Sequence, residues 1–413
     1  MRVLHLTTEF PPIIYGGLGT ATAGLAGALA KAGVEVAVLL FGPVGGSSYG
    51  EFRPIATNRG TRSRNAGGVM VFEVSWSIDL DALATIAALW DPDLIHLHSF
   101  WMWHIAEGLR RRLGIPLVYT VHSLDRAEYE LGAGPPQCIG QWQHQESVIY
   151  GADRVICLTR SERVLLCDYC PGTDERIRIV GNGIEDVDRS NRARCSAADP
   201  TVLFSGRFVD RKGIHELMEA IGLVLARAPQ VRFVLAGGHR DSTAEQMEAW
   251  LLPEKLRPSR SQIRFTGWLT PEQLAEHYRD ADILVVPSWY EPFGMVVLEG
   301  MIHGLAVAAS NVGGPAEIIS DGETGVLFPP CDAPALAQAI LRLVGDASLR
   351  ARIAAAGARE VRRNWLWDSI VRKMQAVYSE VAPASDWRSM RAGQGHTAWV
   401  MTSVAGETAG ANT

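Results

Sequence analysis

At 413 residues the chain is too long for one typical domain, and roughly two or three are expected. Hydrophobic residues make up 47% and charged residues 20%, an ordinary globular composition that excludes a chain too polar to bury cores. The formal charge, 39 − 45 = −6, provides no basic surface for a nucleic acid.

Residues 2–6 enter a strand with no charged-then-apolar leader, and no apolar stretch reaches membrane-spanning length. Six scattered cysteines in a large chain fit reduced thiols, so a cytoplasmic location is expected. Cys167-Asp168-Tyr169-Cys170 has the spacing of a metal knuckle, but a zinc site needs a second pair, and no metal is expected. Trp101, Trp103 and the run Arg110-Arg111-Arg112 leave weak membrane-surface association open. The plainer reading is a partly packed helix with a solvated basic end. Nothing in the sequence sets an oligomeric state.

The first half alternates apolar runs and helical periods. Strands are expected at 2–7, 34–41, 69–75, 93–98, 116–121 and 153–158, with helices near 18–32, 78–89, 101–113, 140–151 and 160–169. Segment 43–68, rich in Gly, Ser, Asn and Arg, reads as a mobile insertion or a small hairpin. Residues 185–200 are polar and read as a linker. A second alternating series follows, with strands near 201–206, 231–236, 262–266, 282–286, 305–309 and 324–328. Alternation of this kind means doubly wound, mostly parallel sheets, hence an α/β protein of two Rossmann-like domains with a cleft between them. The expected boundaries are 1–185 and 200–364, then a helical stretch at 365–381 and a disordered tail at 383–413 without apolar period.

Three loops carry the candidate chemistry. Between the first strand and first helix, Glu9 precedes Gly16-Gly17-Leu18-Gly19, where glycines let backbone N–H groups approach an anion. A dinucleotide fingerprint is the rival, and it lacks both its third Gly and an acid at the end of the second strand. After the first strand of the second domain, Arg207 and Lys212 lie five apart across a turn and can reach one diphosphate. The chain has four lysines (Lys31, Lys212, Lys255 and Lys373), so one in a loop stands out. The third loop follows the apolar strand Ile283-Leu284-Val285-Val286 and runs through Glu291, Pro292, Phe293, Gly294, Met295 and Val296 into a helix carrying Glu299. Gly294 at that helix start suits phosphate; Glu291 can meet a polyhydroxyl group and Glu299 a ribose. In the first domain His122 ends a strand, where ligands bind in such sheets. Of His96 and His98, one is expected to pack in the sheet and His98 to reach the cleft rim. The segment 123–134, with Asp125 and Arg126, is expected to form an acceptor loop. Gly237, Trp268 and Leu269 end strands of the second domain and are expected to line the nucleobase.

Glu291 and Glu299, with Glu-Pro-Phe-Gly between them, match the E-x7-E motif of retaining glycosyltransferases with the GT-B fold. From about residue 1 to 381 the chain resembles glycosyltransferase family 4, itself similar to bacterial glycogen synthases and sucrose-phosphate synthases. Those glycogen synthases carry Lys where this chain has Tyr15, and usually Cys-Gly-Leu where it has Phe293-Gly294-Met295. Both departures favour family 4 and speak against ADP-glucose. The resemblance implies that Arg207 and Lys212 stabilise a departing nucleoside diphosphate and that His122, in the family's Thr-x-His, contacts the transferred sugar. With Glu291, these are the expected catalytic residues. The implied donor set adds Gly16, Gly17, Gly237, Trp268, Leu269, Phe293, Gly294, Met295, Val296 and Glu299. Glu9, His98, Asp125 and Arg126 are assigned to a small polar acceptor. The helical stretch 365–381 is implied to cross back onto the first domain. No cofactor is expected beyond a UDP-, GDP- or ADP-sugar donor. A nucleotide-sugar epimerase or hydrolase of the same fold, glucan elongation and a non-catalytic sensor are the alternatives.

Overall fold

The computed structural model describes residues 1–42, 53–54, 61–132, 139–187, 200–239 and 241–382. The expected tail at 383–413 and most of the linker at 185–200 lie outside them.

The first strands and helices are β1 (Arg2–Thr7), α1 (Gly17–Lys31), β2 (Glu35–Phe41), β3 (Arg53–Pro54), β4 (Thr61–Ala66) and β5 (Val69–Val74). They are followed by α2 (Leu80–Trp90), β6 (Leu94–Leu97), α3 (Trp103–Leu113), β7 (Leu117–Thr120) and α4 (Asp125–Glu130). α5 (Ile139–Gly151), β8 (Arg154–Cys157), α6 (Arg160–Tyr169) and β9 (Ile177–Ile179) complete a nine-stranded sheet of order β3-β4-β5-β2-β1-β6-β7-β8-β9. β3, β4 and β5 pair antiparallel, and every other neighbour is parallel. Within segment 43–68, the described part of the expected insertion or hairpin is thus an edge extension of the sheet.

The second half starts with β10 (Thr201–Gly206), α7 (Ile214–Leu225), β11 (Arg232–Gly237), α8 (Ala244–Leu251) and β12 (Ile263–Gly267). Then come α9 (Pro271–Asp280), β13 (Ile283–Val286), α10 (Met295–His303), β14 (Ala306–Ser310), α11 (Gly313–Ile318) and β15 (Val326–Phe328). The described chain closes with α12 (Ala333–Gly345), α13 (Ala347–Asn364) and α14 (Trp367–Val381). The second sheet is parallel throughout, in the order β12-β11-β10-β13-β14-β15.

The central strands are apolar at successive positions because both faces of each sheet are covered by helices; β7, β13 and β14 are buried along their whole length. Helix starts follow local chemistry. Thr243 and Thr270 each form a reciprocal capping box with the Gln three residues on, and Asp79 and Asp332 accept the N–H of Ala82 and Ala335. α14 lies over the nine-stranded sheet beside α1, where Trp367, Ile370, Val371, Met374, Val377 and Tyr378 join Leu25 and Leu29 in one buried cluster. Segment 123–134 was expected as a loop. Its residues 125–130 are α4, whose first turn carries Asp125 and Glu128 where the helix dipole favours negative charge.

In each sheet the chain reverses its direction of strand addition at the first strand. β1 lies between β2 and β6, and β10 between β11 and β13. The loops leaving the carboxyl ends of such strands frame a crevice. The candidate loops after β1, β7, β10 and β13 therefore come together.

Candidate active site

One cavity of about 380 Å³ is lined from both halves. The first half supplies Glu9, Tyr15, Gly16, Gly17, Leu18, Thr20, His122, Ser123, Leu158 and Asn182. The second supplies Ser205, Gly206, Arg207, Arg211, Lys212, Glu291, Pro292, Phe293, Gly294, Met295, Val296 and Glu299.

Lys212 is fixed by its neighbours. It ends a short 3-10 turn, Asp210–Lys212, and the next residue, Gly213, is left-handed at φ 67°. A Cβ at Gly213 would lie 1.9 Å from the carbonyl oxygen of Pro287, so this turn seats directly on the loop after β13. Trp289 N–H donates to the Arg211 carbonyl at 2.8 Å and locks the two loops together. The Lys212 ammonium consequently meets the Glu291 carboxylate in a close ion pair. Ser288 Oγ donates to the same Glu291 oxygen at 3.3 Å. Burial pushes the Lys212 ammonium below its ordinary pKa, against the pull of Glu291. Burial would raise Glu291, but the charge and hydrogen bond of Lys212, with Arg211 behind it, hold the carboxyl below its usual value. The two buried charges satisfy each other.

Gly294, at φ 90°, turns the loop into α10, whose first N–H groups open on the cavity with no acidic side chain in the first turn. Glu299, one turn further, accepts from Tyr278 Oη at 2.7 Å, and burial raises its carboxyl above the usual range. Arg207 is exposed at the cavity edge, and Arg211 pairs with Glu128 at 3.7 Å.

Across the cavity, Glu9 is committed to its own loop: its Oε2 accepts from the N–H of Tyr15 at 2.8 Å and of Gly16 at 3.2 Å. The N–H of Gly16 therefore points at Glu9 rather than at a ligand. His122 lines the cavity and its Nε2 meets His98 Nδ1 at 3.1 Å.

Six expected residues stand elsewhere, and a seventh only partly fits. His98 is 2% exposed and lies behind His122, not at the cleft rim, with its ring tilted against the His122 ring at 5.4 Å between centroids. Arg126 turns away: it pairs with Glu130 at 2.9 Å and covers the Tyr169 ring at 4.4 Å. Asp125 opens α4 against Gln145, and burial with nearby Glu128 raises its carboxyl to about 6. Gly237, Trp268 and Leu269 do not line the cavity. Gly237 instead sits against β10, where a Cβ would lie 2.1 Å from the Gly206 carbonyl oxygen. Glu9 lines the cavity with its carboxylate already occupied.

Arg211, Ser205, Ser123 and Asn182 were not singled out in the sequence. Arg211 had a signal, since it adjoins Lys212 in the same basic turn. His5 was missed as well; its partner in the β1–β6 register is His96. Ring nitrogens of His5, His96 and His98 all lie within 4.8 Å of one another, a spacing a metal could use. All of these nitrogens but His5 Nε2 are already engaged, however. His96 meets Tyr378 Oη and Thr120 Oγ1, both at 2.7 Å, and His98 meets His5 and His122.

Family models for glycosyltransferase family 4 and for glycosyl transferases group 1 match residues 15–187 and 199–346. The alpha-maltose-1-phosphate synthase of Mycolicibacterium smegmatis is 30% identical over 407 residues, which span 92% of this chain and 100% of the relative. Sucrose-phosphate synthase from Thermosynechococcus elongatus superposes with a TM-score of 0.77 at 24% identity, over 93% of this chain and 100% of that one. Anabaena HepE in complex with UDP and glucose superposes with a TM-score of 0.70 at 19% identity, over 92% and 99%. Among the described residues no helix is long and apolar enough to cross a membrane. The chain belongs to glycosyltransferase family 4 and is a glycosyltransferase of the GT-B fold.

Proposed function

We propose that this glycosyltransferase moves a hexose-type sugar from a nucleoside diphosphate to a small polar acceptor with retention of anomeric configuration. Residues 200–364 hold the donor, and residues 1–185 with the returning helix hold the acceptor. The diphosphate takes the place between Arg207, Lys212 and the start of α10, where cations and unpaired N–H groups converge. Glu291, released in part from Lys212, meets sugar hydroxyls, and Glu299 meets the ribose. His122 faces the sugar from the other wall.

The observation that carries retention is the state of the acids and bases in the cavity. Its carboxylates among the described residues are Glu9, Glu291 and Glu299. Each is already held, by loop N–H groups, by Lys212 and by Tyr278. A double displacement needs a free carboxylate nucleophile, and none of these is free. Inversion needs a general base of suitable strength. Burial lowers His122 to about 4, which leaves it a weak base. A same-face substitution remains: the acceptor hydroxyl attacks beside the leaving phosphate and passes its proton to a phosphate oxygen.

The test is the proton NMR coupling of the anomeric hydrogen in the product from an α-linked gluco-configured donor. A small coupling is expected. A large diaxial coupling would mean inversion and would overturn the mechanism while leaving the fold intact.

A further inference from the structure

Behind His122 the sheet carries an imidazole chain that the transfer reaction as described does not use. His5 on β1 and His98 at the end of β6 stack at 5.1 Å with an interplanar angle of 11°. His5 Nδ1 lies 2.8 Å from His98 Nε2, and His98 Nδ1 lies 3.1 Å from His122 Nε2. Both His5 and His98 are buried. His5 Nε2 ends the chain in the core, with no partner among the described residues.

A neutral imidazole carries one N–H and one bare nitrogen. Two hydrogen bonds in series therefore allow only two arrangements. In the first, His122 Nε2–H donates to His98, His98 Nε2–H donates to His5, and His5 is left with an N–H at Nε2 buried without an acceptor. In the second, every ring carries its proton on Nδ1, His5 donates to His98 and His98 to His122, and His5 Nε2 is left as a bare lone pair. Buried N–H groups without an acceptor are the rarer defect in folded proteins. The second arrangement also turns the positive end of every imidazole dipole toward the cavity, where an anionic donor would sit. Burial keeps the rings neutral, lowering His5 to about 3 and His122 to about 4, with His98 well below its ordinary value.

We propose that His5 and His98 are positioning residues. Through a one-way chain, His5 Nδ1–H to His98 Nε2 and His98 Nδ1–H to His122 Nε2, they hold His122 as the Nδ1–H tautomer, so that it offers the cavity a hydrogen-bond donor. This rests on the proposed role of His122 beside the transferred sugar. It adds a requirement on the substrate: the sugar atom that meets His122 must accept a hydrogen bond.

The direct test is a long-range proton–nitrogen correlation spectrum of the ligand-free, ¹⁵N-histidine-labelled protein, with signals assigned by single His→Gln variants. The Nδ1–H pattern is expected at His5, His98 and His122. An Nε2–H pattern at His98 and His122 would overturn the chain. Kinetics supply the second arm. His98→Phe removes the donor and is expected to lower kcat by roughly 10- to 100-fold with little change in donor KM. His98→Asn places an amide N–H near the former Nδ1–H and is expected to recover most of that loss. Equal activity in the two variants overturns the proposal, whichever way it falls. If either variant fails to fold, the wild-type spectrum still decides. The tautomers are read without substrate, so their failure leaves the glycosyltransferase reading standing. Absence of sugar transfer by the wild-type protein would sink that reading and leave the tautomers as measured.

Discussion

Tyr290, in the loop leaving β13 of the second half, donates its hydroxyl to Glu162 Oε1 on α6 of the first half at 2.9 Å. The same hydroxyl accepts from Leu124 N–H at 3.0 Å, immediately before α4. The loop bearing Glu291 is thus tied to the opposite sheet one residue away from the carboxylate that pairs with Lys212. Thr159 Oγ1 adds a hydrogen bond to the Pro292 carbonyl at 3.2 Å.

Glu162 makes this tie sensitive to pH. Burial pushes its carboxyl from 4.5 up to about 7, against the hydrogen bond from Tyr290, and its Oε2 has no partner among the described residues. Because the folded pKa lies above the unfolded one, the folded chain holds this proton more tightly between those values. Its stabilising contribution is complete below about 4.5 and is lost as pH rises through about 7. Glu162→Gln mimics the protonated form and should gain stability over wild type as pH rises, on the order of 3 kcal/mol at pH 8. Urea unfolding of both proteins from pH 5 to 8 measures this. A constant difference across the range would refute the assignment.

Lys212→Ala and Arg207→Ala should each lower turnover by roughly 10²–10³ and weaken nucleoside diphosphate binding, as loss of one transition-state cation does. Their stabilities should differ. Arg207 is exposed, whereas removing Lys212 leaves the buried Glu291 without its counter-ion, at a cost of about 3 kcal/mol. Calorimetric titration with UDP and GDP, alongside melting curves, separates the two effects. Wild-type turnover in either variant would remove that residue from the phosphate site.

Gly213→Ala should destabilise the protein by about 2–4 kcal/mol and reduce activity through Lys212. Alanine at φ 67° is strained, and its Cβ would collide with the Pro287 carbonyl oxygen. Gly27→Ala, inside α1 with nothing within 4 Å of the added Cβ, should instead stabilise by roughly 0.5–1 kcal/mol. Chemical denaturation of the pair checks both signs. Equal effects would mean that the contact between the two loops is not as tight as the geometry requires.

Arg207, Arg211 and Lys212, with the N–H groups of α10, present enough positive charge for a departing diphosphate. Transfer should therefore survive EDTA. Activity that disappears with chelator and returns with Mg²⁺ or Mn²⁺ would contradict this expectation.

The wall proposed to face the phosphates was legible in the amino-acid sequence because it is made locally. A buried parallel strand, a glycine and a helix start lie within a dozen or so consecutive residues, and apolar periodicity reveals each of them. Arg207, Lys212, Glu291 and Gly294 were readable for that reason, as were the two alternating series behind the sheets. The side proposed for the acceptor was not. Arg126 looks like a free polar group in sequence, yet α4 directs it into contacts with Glu130 and Tyr169, and Asp125 gives its backbone N–H to Gln145 Oε1. His98 looked like a rim residue and became the middle of a buried chain. His5 and His98 are 93 positions apart, and Tyr290 and Glu162 are 128 apart. Strand order brings the first pair together, and packing between the two halves brings the second. Local sequence sets which groups can donate, accept or carry charge; only the tertiary structure decides which are already spent on one another and which remain for a ligand.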